Sequence, residues 1–98
     1  MVEVFFHPKA REDLSHAAAY LNDETIDLKQ EFYNELDQVL DFISTFPNGF
    51  VSLEYGLRRC YMKRFKYNIF YRILDDNRIA IIAVMHFRRK PFNFLDRL

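Results

Sequence analysis

The sequence predicts an α+β fold: an N-terminal strand and an antiparallel two-helix hairpin packed on a twisted antiparallel sheet. Three observations carry that prediction. Apolar residues recur at three- and four-residue spacing through the first half, the period drops to two from Leu57 onward, and turn-forming residues separate the segments. The opening run VEVFF is rich in β-formers and stops at Pro8, which suits the first turn of a helix. That helix should cover about 8–22, with Ala10, Leu14, Ala17, Ala18 and Leu21 on one apolar stripe and Arg11, Glu12 and Asp13 turned mostly outward. A second stripe, Leu28, Phe32, Leu36, Val39, Leu40, Ile43 and Phe46, marks a second helix. It opens on acids, which favour a helix N-terminus, and ends at Pro47-Asn48-Gly49. Beyond Leu57, Tyr67, Ile69, Tyr71 and Ile73 alternate with Asn68, Phe70, Arg72 and Leu74, as in a strand. Asp75-Asp76-Asn77 then supplies a turn before Ile79–Val84, whose uniformly apolar character marks the central strand of a three-stranded meander.

Composition bounds the rest. Ninety-eight residues form one domain, 1–98, of a size that buries about 60–70% of its unfolded surface. Half the residues are apolar and eleven are Phe, too many for a disordered chain, while two Gly and three Pro leave no linker. No apolar run approaches the roughly 20 residues that span a bilayer, and the N-terminus lacks the basic charge of a signal peptide, so a cytoplasmic protein without a membrane partner is expected. Cys60 has no second cysteine to pair with, and His7, His16 and His86 fall at no metal-ligand spacing, so neither metal nor other cofactor is expected. The formal net charge of zero conceals a division. Residues 1–55 hold three basic side chains against eleven acids, −8, and residues 56–98 hold eleven basic against three acids, +8. A basic half of that kind suits an acidic partner or phosphates.

Three motifs in order connect these elements to a family. Gly56-Leu57-Arg58, then Phe65-Lys66-Tyr67-Asn68-Ile69-Phe70-Tyr71-Arg72, then Val84-Met85-His86-Phe87-Arg88-Arg89-Lys90-Pro91 resembles the RelE/ParE superfamily of bacterial toxins, its ParE branch most closely. Pro8-Lys9-Ala10-Arg11-Glu12-Asp13-Leu14 is similar to that family's opening P-x-A-x-x-D-L, and Phe46-Pro47 to the end of its second helix, so the resemblance covers nearly the whole chain. One departure is Lys66, which stands where the family usually has proline. Proline would remove a ladder donor there, so lysine should alter the hairpin slightly without changing the fold.

The resemblance implies the toxin of a type II toxin–antitoxin pair, of the kind linked to plasmid stabilisation and growth inhibition. Its partner would be a cognate antitoxin whose C-terminal segment, disordered when free, wraps the toxin as a helix and a strand. A mostly acidic tail of this sort would suit the basic half. Two activities compete within the superfamily. ParE-type toxins inhibit DNA gyrase without chemistry of their own, whereas RelE-type toxins are ribosome-dependent mRNA endonucleases.

Cleavage at a 2′-hydroxyl requires a base, cations around the phosphorane and an acid for the leaving oxygen. Arg58, Lys63, Arg64, His86 and Arg89 are the candidates if the chain is a nuclease. Against the RelE-type set, Asn68 takes the approximate place of an arginine, and the C-terminal segment offers Phe92 and Phe94, neither able to carry a proton. A Glu54, Arg58 and His86 set is the remaining catalytic combination. The residues expected to bind a target are Arg58, Arg59, Lys63, Arg64, His86, Arg88, Arg89 and Lys90, with the tail arginines placed beside Arg58 in a simple meander pairing. Structural readings stand beside these. Arg58 shares strand parity with Cys60, Met62 and Arg64 and can equally close a salt bridge to the acidic helical hairpin. His86 reads first as a neutral histidine hydrogen-bonded at a strand end. Tyr61, Tyr67 and Tyr71 read as half-buried strand aromatics, and Cys60 as a small core hydrophobe. A non-catalytic nucleic-acid-binding module is a third reading of the basic, aromatic half, although it leaves the order of the motifs unexplained.

Overall fold

The computed structural model describes residues 2–22, 26–89 and 95–98. Strand β1 (Glu3–Phe6) leads into helix α1 (Pro8–Asn22), followed by helix α2 (Ile26–Thr45) and a two-residue strand β2 (Val51–Ser52). A 3₁₀ turn (Glu54–Gly56) then enters the meander of β3 (Leu57–Met62), β4 (Tyr67–Asp75) and β5 (Arg78–His86), and a second 3₁₀ turn covers Leu95–Arg97. The strands form one sheet in the order β1-β5-β4-β3-β2. All neighbours are antiparallel except β1, which joins β5 in parallel and makes the sheet mixed. The expected meander is therefore extended by a strand on each side. β5 is interior, flanked by β1 and β4, and β4 is the midpoint.

The helices cover one face. Ala10, Ala17, Leu21, Phe32, Leu36, Val39 and Ile43 pack on Cys60, Met62, Ile69, Tyr71, Ile79, Ile81 and Val84 to form the core. Phe32 is its hub, meeting the rings of Tyr33, Phe65 and Tyr67 edge-on at 5.3 to 5.7 Å. Phe46 departs from the expected stripe. Helix α2 ends at Thr45, one residue earlier, and Phe46 is exposed. Of the acids expected at the start of α2, Asp27 lies in its first turn, whereas Asp23 and Glu24 lie outside the described residues.

Asp13 overturns a second expectation. It is buried rather than outward, and its carboxylate accepts the Val84 N–H at 3.0 Å and faces the guanidinium of Arg97 at 2.8 Å. The cause lies in the sheet. β1 pairs with β5 only as far as Ile81, so beyond that point the outer edge of β5 has no neighbouring strand. Asp13 takes one of its donors, and Arg97 donates to the Ile82 carbonyl at 3.1 Å.

Two turns explain the hairpins. Asp75 accepts the Asn77 N–H at 2.9 Å, an Asx turn, and pairs with Arg78; the Asn77 donor first, and Arg78 second, hold its carboxyl below the ordinary carboxylate range. The β3–β4 turn closes with Lys66 in the left-handed region at φ +62, its N–H donating to the Met62 carbonyl at 2.8 Å. Proline fits neither feature, because its φ is fixed near −65° and it has no N–H. The family's usual proline is thus incompatible with this turn.

The core makes two expectations. Replacing Arg97 with alanine strands the buried Asp13 carboxylate, and urea unfolding should show a loss of about 3–5 kcal/mol. Tyr71 is fully buried, its hydroxyl donates to the Pro47 carbonyl at 2.6 Å, and burial pushes the phenol up to about 12, with Arg58 pulling the other way. A pKa raised on folding gives stability that is complete below the unfolded tyrosine value of about 10 and lost as the pH rises from there toward 12. Base-induced unfolding over that window should be measurable by circular dichroism and weakened in Tyr71→Phe.

Candidate functional site

The sheet face away from the helices carries the candidate site. Cross-strand register places Arg59 opposite Phe70 and Phe70 opposite Ala83; in the next row Tyr61 lies opposite Asn68 and Asn68 opposite Met85. Directly opposed residues bring their side chains together on one face of a sheet. A cleft of about 340 Å³ opens there, lined by Leu53, Arg59, Asn68, Phe70, Met85, His86, Phe87 and Arg89. Leu53, Phe70, Met85 and Phe87 give the lining its apolar part, and Arg59 and Arg89 its cations. A larger hollow of about 820 Å³ lies between β1 and α2, but its charged lining is Asp37 and Asp41, on the acidic half.

His86 terminates β5 opposite Tyr67 and borders two clefts. Besides the sheet-face cleft it lines a hollow of about 220 Å³ on the helical side with Asp13, His16, Ala17, Tyr20, Tyr67, Val84 and Arg89. Its Nδ1 accepts the Arg88 N–H at 3.3 Å, so Nε2 carries the proton in the neutral ring. The ring packs edge-on against Tyr67 at 5.4 Å and lies 4.9 Å from the Phe87 ring. Burial, and secondarily Tyr20, raises the Tyr67 phenol.

The remaining sequence-predicted residues separate into distinct settings. Arg58 points to the helical side, where its guanidinium donates to the carbonyls of Phe50 at 2.9 Å and Asn48 at 3.3 Å, fastening the segment between α2 and β2. The salt bridge to the acidic hairpin considered for Arg58 is made instead by Arg64, at 2.6 Å from Glu31. Glu35 accepts the backbone N–H groups of Arg64 and Phe65, so the β3–β4 turn is bound to α2. Lys63 and Arg64 lie in this turn, past the end of β3, and Lys63 is exposed. Arg88 and Lys66 place their cations 5.4 and 5.6 Å from the centre of the exposed Phe87 ring. Cys60 is in the core, where burial raises its thiol. Lys90, Pro91, Phe92 and Phe94 lie outside the described residues.

The tail arginines do not stand beside Arg58. Arg58 pairs with Tyr71 whereas His86 pairs with Tyr67, four residues along the same strand, a separation of about 13 Å. Glu54, in the 3₁₀ turn before β3, lies at the Arg58 end, so the register does not bring a Glu54, Arg58 and His86 set together. What the register brings together is Arg59, His86 and Arg89, with Leu53, Asn68, Phe70, Met85 and Phe87, five residues that the sequence reading did not place in a site. Parity placed Asn68 and Phe70 on one face, but their closeness to Met85 depends on a register shift between Phe70 and Tyr71. Phe87 carried a signal, standing between His86 and Arg88.

Fold and cleft together define a small α+β protein that presents a basic, aromatic sheet face opposite an acidic helical hairpin. A sequence model described as ParE toxin of type II toxin-antitoxin system, parDE, matches residues 4–91. The chain is also 34% identical over 86 residues to the Toxin ParE2 sequences of two Mycobacterium tuberculosis strains, CDC 1551 / Oshkosh and ATCC 25618 / H37Rv, covering 87% of this chain and 81% of each relative. The chain belongs to the ParE toxin family of the RelE/ParE superfamily. It is a type II toxin, and its family implies a cognate antitoxin partner.

Arg58 and Arg59, adjacent in sequence, should respond oppositely to truncation. Arg58→Ala leaves carbonyls without their charged donor and should cost about 1.5–3 kcal/mol in urea unfolding. The exposed Arg59→Ala should stay within about 0.5 kcal/mol of the parent.

Proposed function

We propose that this toxin inhibits DNA gyrase by binding, with the sheet-face cleft and its surrounding cations as the contact surface, and that it does no chemistry of its own. The observation that carries this reading is the lining of the cleft: two guanidinium groups, one amide, one imidazole and apolar side chains. Cleavage of RNA needs one group to take a proton and another to give one, at opposite sides of the phosphorus. Among the described residues the cleft supplies a single proton-transfer group, and one nitrogen of that ring is engaged by Arg88. Arg64, a RelE-type candidate, is engaged by Glu31 on the helical side. Membership of the ParE branch points the same way.

The binding residues in this reading are Arg59, His86, Arg88 and Arg89, with Lys63 and Lys90 as further cations. The cognate antitoxin neutralises the toxin, and toxin and gyrase meet in the cytoplasm. No helix among the described residues is long and apolar enough to cross a membrane. Induced expression should bring on DNA-damage signalling and filamentous growth while translation falls only late. Purified toxin should inhibit supercoiling by gyrase in vitro, and Arg59→Ala should weaken inhibition with unfolding unchanged. Prompt arrest of translation with mRNA cut in the ribosomal A site would establish the RelE-like endonuclease instead.

A further inference from the structure

We propose that copies of this toxin associate head to tail, the exposed Phe87 ring and its two cations on one copy seating in the acidic hollow between β1 and α2 of the next. The proposal does not depend on the toxin's target. The hollow, about 820 Å³, takes its charge from Asp37 and Asp41, one helical turn apart on α2, and an apolar part of its lining from Val2, Val4 and Leu40. Both carboxylates are exposed, and neither has an ion-pair partner among the described residues. Their complement lies on the same chain. The Phe87 ring is exposed, with the Lys66 ammonium 5.6 Å and the Arg88 guanidinium 5.4 Å from its centre. Both cations are exposed as well and form no ion pair among the described residues. The Phe87 N–H donates to the Lys66 carbonyl at 2.8 Å, which holds ring and lysine together before a partner arrives.

The two surfaces sit toward opposite ends of β5. Val4 pairs with Ile79 near the start of that strand, and Phe87 follows its end, eight residues or about 26 Å further along. A copy therefore does not fill its own hollow, and the contact between copies is heterologous, repeating from one to the next. A two-fold contact of hollow on hollow would set Asp37 and Asp41 against their own counterparts. Charge sign selects the occupant. The carboxylates repel a nucleic acid strand, and the mostly acidic tail expected of the antitoxin has the wrong sign. The chain is its own electrostatic complement, with −8 in residues 1–55 and +8 in residues 56–98. Seating the ring against Val2, Val4 and Leu40 removes apolar surface from water while the two cations meet the two carboxylates.

Sedimentation velocity of the full chain, freed from its antitoxin, tests this. Species larger than the monomer should form at about 0.1 M salt and dissociate toward about 1 M, as the Debye length shrinks from about 10 to about 3 Å. Phe87→Ala should weaken association about tenfold with urea unfolding unchanged. Charge reversal is the sharper test. Asp37→Lys/Asp41→Lys in one variant and Lys66→Glu/Arg88→Glu in another should each give a monomer with the circular dichroism of the parent. An equimolar mixture of the two should associate again, because each then carries the complement of the other's reversed surface. A parent that is monomeric at low salt, association that persists in either reversed variant, or a mixture that stays monomeric would overturn the proposal. A monomeric parent whose antitoxin binding is lost in Asp37→Lys/Asp41→Lys would make the antitoxin the occupant instead.

Discussion

The outer edge of β5 is the constraint on which the rest of the molecule depends. β5 runs nine residues and β1 only four, so the parallel pairing ends at Ile81 and leaves backbone groups that must find partners elsewhere. His7 extends the pairing by one bond to the Ile81 carbonyl, then Arg97 takes the Ile82 carbonyl and Asp13 the Val84 N–H. A side chain from α1 and one from the C-terminal turn thereby stand in for a missing strand. Each is a buried charge, tolerable only because the other is present. The same stretch of β5 skips a residue, since Phe70 faces Ala83 while Tyr71 faces Ile81. That shift lets Ile79, Ile81 and Val84 all join the core and turns Ala83 and Met85 to the other face. The cleft follows from it.

Charge segregation contributes differently. Glu31 and Glu35 on α2 reach across to the β3–β4 turn, and Glu35 satisfies two backbone donors that the turn leaves open. The exposed ion pair itself contributes about 0–1 kcal/mol; what Glu35 secures is the position of Phe65, whose ring meets Phe32 in the core. Attachment of turn to helix uses one arginine of the basic half. Those on the sheet face remain directed outward.

Much of the fold was legible because the two periodicities are clean. α1 occupies the expected residues, and β4 shows the anticipated alternation, with Ile69 and Tyr71 buried and Asn68 and Phe70 on the reverse. The parallel docking of β1 was not legible, since nothing in a five-residue run of mostly apolar residues states its partner or direction. Asp13 was misread for a related reason: a helical wheel sees only its own helix, and the donor it satisfies belongs to a strand 71 residues away. The site was legible as a charge class and illegible as a geometry. Arg58 and Arg59 are indistinguishable in composition, yet alternation sends one into the loop behind the sheet and the other into the cleft.

The pairing pattern also has a consequence during synthesis. β1 and α1 leave the ribosome first, but the partner of Glu3 is Arg78, and Asp13 waits for Arg97, 84 residues later. Until β5 emerges the helical hairpin has only the β3–β4 part of the sheet to lie on, and the part of its apolar stripe that meets Ile79, Ile81 and Val84 stays open. Contacts so distant carry a large loop-closure cost and form late. The cleft, lined by residues of β3, β4 and β5 and of the segments beside them, exists only once the last strand is out.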